Sequence, residues 1–221
     1  MNKISTINVS GSDAFEFLQG QLTNDLKRLK SEDEILAAWC NPKGRVIWFG
    51  TVWPTDSGYG LSAPTEMTEN IVQRLTMFRF RSKVEFEVID EGVTINPGDL
   101  IRSGYPFIGI EQTEQFTPHM LNLDLLDVIN FDKGCYTGQE IVARTHYKGA
   151  TKRRTLRFES PEPLSAGDKV SLDGREIGEV LNAFGKDLLA VVPTTKAGGQ
   201  LSVNDLELSL VPLPYLETAA S

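Results

Sequence analysis

Beyond Thr151 the chain is punctuated by glycine. Thr155–Phe158, Lys169–Leu172, Glu176–Phe184, Leu188–Val192, Gln200–Val203 and Leu206–Val211 are short runs with alternating or β-branched apolar residues. Gly167, Gly174, Gly185 and the pair Gly198-Gly199 separate them. Several short strands at regular spacing with turn residues between them fold as a small barrel or sandwich. This constrains the last third of the chain to an all-β unit. It also sets an expected domain boundary near residue 150, giving domains 1–150 and 151–221.

The first part reads differently. Ile4 to Val9 alternates as a strand, and Ser10 or Ser12 can cap a helix carrying Phe15, Leu18 and Leu22 on one face. Gln19 and Gln21 sit among apolar neighbours, so as buried amides they must find partners, either in a loop or in a ligand. Glu34–Cys40 and Arg45–Trp53 predict a hairpin around the turn Asn41-Pro42-Lys43-Gly44. Tyr59–Ala63 is a further strand. Met67, Ile71, Leu75 and Phe78 then recur at helical spacing after Thr65. Val84, Phe86 and Val88 alternate with Glu85 and Glu87, as in a strand with one solvated face. Asp99–Ser103 reads as one helical turn, and the apolar Leu121–Ile129 as buried. Strands and helices in this order predict an α+β domain with helices packed on a largely antiparallel sheet.

Chemistry concentrates in Lys133-Gly134-Cys135-Tyr136-Thr137-Gly138-Gln139-Glu140. A helix starting near Thr137 or Gly138 leaves Cys135 just outside its N-terminus. Free backbone N–H groups and the macrodipole favour an anion there. Together with the charge of Lys133 this would favour a thiolate, and Gly134 would admit close approach. The plain alternative is a buried, inert cysteine. Tyr136, Gln139 and Glu140 are read evenly as substrate-orienting groups or as structural hydrogen-bond partners.

Net charge is −8 over 221 residues, which argues against nucleic-acid binding by bulk charge. Yet Arg144, Lys148, Lys152, Arg153, Arg154 and Arg157 form a run without an acid, and Arg74, Arg79, Arg81 and Lys83 form a second cluster. These are either solvated faces or an anion site for a phosphate, a glutamyl tail, an acidic protein or RNA. Cys40 and Cys135 form no metal-ligand spacing, and His119 and His146 do not by themselves build a His-rich metal site, so no metal is expected. No apolar run approaches the ~20 residues of a membrane helix. A reducing cytoplasm and a monomer are the default expectations.

Four blocks carry a family resemblance. They are Gly11–Ala14 with Phe17–Asp25, Ala37–Arg45, Thr117–Asp124, and the Cys135 octapeptide. In this order they resemble the YgfZ-type folate-binding proteins, relatives of the aminomethyltransferase of the glycine cleavage system. The resemblance implies an aminomethyltransferase-like folate-binding domain followed by a small C-terminal β-barrel. It implies tetrahydrofolate or a derivative as ligand, and a role in assembling or repairing iron–sulfur enzymes, with tRNA modification among the processes served. Cys135 would be the thiol that acts. Lys133, Gly134, Tyr136, Gln139, Glu140 and Arg144 would line the folate site, and iron–sulfur client or assembly proteins would be partners. Two tryptophans associated with folate in such proteins correspond here to Ile4 and Asn96. A pterin would then rest on another aromatic such as Trp39, Trp48 or Tyr105. The alternatives are a folate-dependent one-carbon transferase, or an RNA- or protein-binding module using residues 144–157.

Overall fold

The computed structural model describes residues 2–149 and 151–217. Two compact units emerge. The first comprises residues 1–95, 108–118 and 127–144, and the second residues 96–107, 119–126 and 145–221. The division is therefore not one cut near residue 150. The chain passes repeatedly between units before the final strands, and Ala150 itself lies outside the described residues.

The first unit is a five-stranded antiparallel sheet in the order β2-β3-β4-β1-β5. Its strands are β1 (Asn2–Ser10), β2 (Ile35–Cys40), β3 (Val46–Thr55), β4 (Gly58–Pro64) and β5 (Glu85–Ile95). Alternation in β1 turns Ser5, Ile7 and Val9 inward. Helices α1 (Ala14–Gln19) and α2 (Thr68–Arg79) supply Phe17, Leu18, Ile71 and Leu75 to the same core, which contains Trp39 and Trp48. Met67, Ile71 and Leu75 are each buried to about one per cent exposure, as their spacing predicts. Phe78 lies at the rim, its ring edge-on to Trp39 with centroids 6.0 Å apart.

One strand departs from expectation. The strand expected at Val84–Val88 runs on to Ile95, as β5, because its later residues pair with Asn2–Ile4 after a register shift in β1. It is an edge strand and nearly all of it is exposed. Glu85, Glu87, Asp90 and Glu91 lie along it, charges of the kind that keep an open edge from recruiting another strand.

The second unit is a near-closed antiparallel barrel of order β11-β10-β7-β8-β9-β6-β12. Its strands are β6 (Arg153–Glu159), β7 (Lys169–Leu172), β8 (Arg175–Phe184), β9 (Asp187–Pro193), β10 (Leu201–Val203), β11 (Leu206–Glu207) and β12 (Ser209–Val211). Phe158, Val170, Val180, Leu188, Ala190, Val192, Leu201 and Val203 fill its core. The segment expected as one strand, Leu206–Val211, divides at Leu208. That side chain turns into the core while the chain changes partner from β10 to β6.

Helix α3 (Pro97–Ser103) belongs to this unit and packs on β8 and β9. Asn96 caps it, accepting from the Gly98 N–H, and Pro97 occupies its first turn. Residues 121–126 form turns rather than a regular element, with Leu121 and Leu123 fully buried but Leu125 exposed. Among the described residues no helix is long and apolar enough to cross a membrane.

Candidate functional site

The Cys135 octapeptide stands on a buried polar hub in the first unit. Thr23 and Asn24 are fully buried, and the chain around them follows α1 without regular structure. Buried polar groups require partners, and here every partner is a neighbouring strand or turn. Thr23 Oγ1 donates to Val128 O at 2.8 Å and accepts from the Ala38 N–H at 3.0 Å. Asn24 Nδ2 donates to Leu36 O and to Asp127 O, at 2.7 and 2.9 Å. Gln19 closes the loop by donating to Asp25 Oδ1 and accepting from the Leu26 N–H. The loop between α1 and β2 thus ties β2 to residues 127–130.

Lys133 completes the hub. It is buried, and its ammonium donates to the carbonyl oxygens of Gln19 (2.7 Å), Leu22 (2.5 Å) and Asn24 (3.0 Å). Burial pushes its pKa down to about 8, with Asp25 opposing. Its role in the geometry is to hold carbonyls, whereas the sequence suggested support for a thiolate. The same Nζ lies 5.2 Å from the centre of the Tyr136 ring, a cation–π distance. Tyr136 is buried as well, and burial raises its phenol pKa.

Between these two anchors Gly134 and Cys135 are exposed, and a Cβ at Gly134 would meet nothing within 4 Å. Cys135 is a free thiol presented on a short arch with both feet fixed. Cys40, the other free cysteine, is fully buried, and desolvation pushes its thiol up to about 12. Cys135 is thus not buried, as its plain alternative reading would have it, whereas Cys40 is.

The arch rests on the hairpin turn. Asn41 Oδ1 accepts from the Lys43 and Arg45 N–H groups, which shapes the turn and leads into Gly44 at φ +67°. Gly138, at φ +84°, lies against it. A Cβ there would fall 2.5 Å from Asn41 O, and one on Gly44 would fall 2.9 Å from the Ile141 side chain. Thr137 Oγ1 donates to Gln21 Oε1 at 3.1 Å, which engages the second buried-side glutamine. Helix α4 (Gln139–Lys148) then begins, so Cys135 lies outside its N-terminus. Gln139 is half-buried in the first turn. Glu140 and Arg144 are exposed and form a loose ion pair at 3.7 Å.

The aromatic candidates divide clearly. Trp39 and Trp48 are each 1% exposed, and Trp48 Nε1 donates to Ser62 O. Neither offers a face to a ligand, which corrects their reading as pterin supports; Tyr105 stays partly exposed. A folate would find hydrogen-bonding groups here, namely the Glu140 carboxylate and the Arg144 guanidinium. Their weak mutual pair leaves both free to turn to a ligand.

The basic stretch divides: Arg144, Lys148 and Lys152 are exposed, and its other three members are engaged. Arg153 donates to Ile177 O, Arg154 makes a bidentate pair with Asp124, and Arg157 bonds Asp187. In the second cluster Arg74 pairs with Glu114 and Arg79 donates to Val84 O. Lys83 lines an open hollow of about 550 Å³ with Ser10, Gly11 and Ser12.

No protein-family profile matches the chain. A search of solved structures finds aminomethyltransferase T of the glycine cleavage system from Bartonella henselae, with a TM-score of 0.78 over 97% of this chain and 84% of that one, at 15% identity. The chain thus shares the fold of that aminomethyltransferase. Sequence relatives of the chain include an uncharacterized protein of Haemophilus influenzae, 27% identical over 97% of this chain and 96% of its own length. The tRNA-modifying protein YgfZ of Vibrio atlanticus is 26% identical over 82% of this chain and 76% of its own. The alignment with YgfZ of Klebsiella pneumoniae runs over 301 positions, more than the length of this chain, so that relative holds residues between matched blocks that this chain lacks.

Proposed function

We propose that this protein is a tetrahydrofolate-binding accessory factor that helps assemble or repair iron–sulfur enzymes in the cytoplasm, through the thiol of Cys135. One observation carries the reading: an exposed cysteine on an arch whose two feet, Lys133 and Tyr136, are buried. A side chain needed only for packing is not presented this way, since free cysteines are among the most buried residues. The superfamily fold and the relatives named YgfZ support a folate ligand.

Glu140 and Arg144 would hold the folate, the carboxylate accepting from pterin N–H groups and the guanidinium facing a glutamyl carboxylate. Folate, when bound, supplies a one-carbon carrier or a reduced pterin. The chain contributes a positioned thiol and the groups that fix it. Several relatives are named as tRNA-modifying. Under this reading the link to tRNA runs through iron–sulfur client enzymes; Arg153, Arg154 and Arg157 are engaged within the protein, which reduces the charge that the basic stretch could offer a phosphate backbone.

The test is Cys135→Ser in a strain deleted for the protein. The side chain is exposed, so the variant should melt within about 0.5 kcal/mol of the wild type. It should nevertheless fail to restore the activity of iron–sulfur enzymes. Full restoration by a folded Cys135→Ser protein would remove the thiol from the mechanism.

A further inference from the structure

The fold brings together two histidines and an aspartate that lie apart in sequence. His119 is buried at 2% exposure, Asp124 is half-buried, and His146 is exposed in the last turn of α4. One side-chain donor atom from each of the three lies within 4.8 Å of the other two, and the two imidazole centroids are 6.0 Å apart. All three belong to the second unit.

We propose that His119, Asp124 and His146 form a binding site for a divalent transition-metal ion. Two imidazoles and one carboxylate are a borderline donor set that suits Zn²⁺, Fe²⁺ or Co²⁺ and disfavours Mg²⁺ and Ca²⁺, which take oxygen ligands. Bonds of about 2 Å put tetrahedral ligand atoms roughly 3.3 Å apart. The 4.8 Å span exceeds this by about 1.5 Å, so a side chain must shift for all three to hold one ion, and His146 is the exposed member of the three.

Outer contacts orient the carboxylate. Arg154 Nη1 donates to Asp124 Oδ1 at 2.9 Å, and its Nη2 donates to Oδ2 at 2.8 Å. Each carboxylate oxygen retains a second lone pair for an ion. Arg154 Nη1 also donates to His119 O and to Asn122 Oδ1, so one guanidinium fixes the segment that carries two of the three ligands. Hydrogen-bonded carboxylates of this kind are usual around bound metals. The fixed pair is His119 and Asp124, and His146 is the closing ligand on the solvent side. With three protein ligands a fourth position stays open to water or a small anion.

The test must exclude the Cys135 thiol as a ligand, because an exposed thiol also binds soft metals. Zn²⁺ and Co²⁺ are titrated into the full-length Cys135→Ser protein, by calorimetry and by Co²⁺ absorption. The expected result is one saturable equivalent, a tetrahedral-type Co²⁺ spectrum without thiolate charge transfer, and no competition from Mg²⁺ or Ca²⁺. Adding His146→Ala, a surface change that should leave the fold intact, is expected to weaken binding at least tenfold. It should also abolish the Zn²⁺-induced rise in Tm. Asp124→Asn should weaken binding as well. Absence of saturable binding, or binding by the His146→Ala protein as tight as by its parent, would overturn the proposal.

Discussion

Replacing Lys133 with methionine should destabilise the protein by about 3 kcal/mol, the cost of leaving several buried carbonyls without a donor. Methionine keeps most of the stem volume and removes only the ammonium. Gln19 O, Leu22 O and Asn24 O would then face an apolar methyl. Part of that loss is offset, because the wild-type protein must desolvate a charge. Lys133→Arg should not rescue, since a planar fork cannot point three donors into a cage shaped for a compact ammonium. Denaturant midpoints at unchanged m-value would measure the loss. Hydrogen exchange should accelerate first in residues 19–26 and 130–138. A loss under about 1 kcal/mol would mean that the three carbonyls find other donors, and that the hub does not depend on Lys133.

Gly138→Ala should cost a similar amount, about 3 kcal/mol, by a different route. Gly138 adopts φ +84°, which an L side chain resists, and its Cβ would sit 2.5 Å from Asn41 O. Both the strain and the clash fall on backbone, which cannot rotate away. The turn 41–44 and the arch would separate, and Cys135 would lose its fixed placement. Gly134→Ala is the control. That site has no neighbour within 4 Å and no positive φ, so stability should change by less than about 0.5 kcal/mol. Equal stability of the two variants would contradict the docking of arch on turn.

Much of the fold was legible because burial on one face leaves a period in the sequence. The β1 alternation and the Met67, Ile71, Leu75 spacing led directly to strand and helix, and the glycine punctuation after Thr151 led to the barrel. The edge strand β5 was only half visible, since a strand exposed on both faces carries no alternation beyond Val88. The candidate site was visible as a motif but not as a construction. Lys133 reads as a charge next to a thiol, and nothing local reveals that its ammonium reaches back to carbonyls more than a hundred residues earlier. Thr23 and Asn24 read locally as no more than caps of a short turn, for the same reason. The one available signal was a polar pair set among Leu18, Leu22 and Leu26, which buries polar groups and so demands partners. His119, Asp124 and His146 share no local pattern, and only the fold brings them together.

The proposed binding of folate beside Cys135 is tested most directly by calorimetric titration of the reduced protein with tetrahydrofolate under anaerobic conditions. A polyglutamylated form is run in parallel. Saturable one-to-one binding is expected, tighter for the polyglutamate, with that advantage lost in Arg144→Ala. No binding of either form would contradict it.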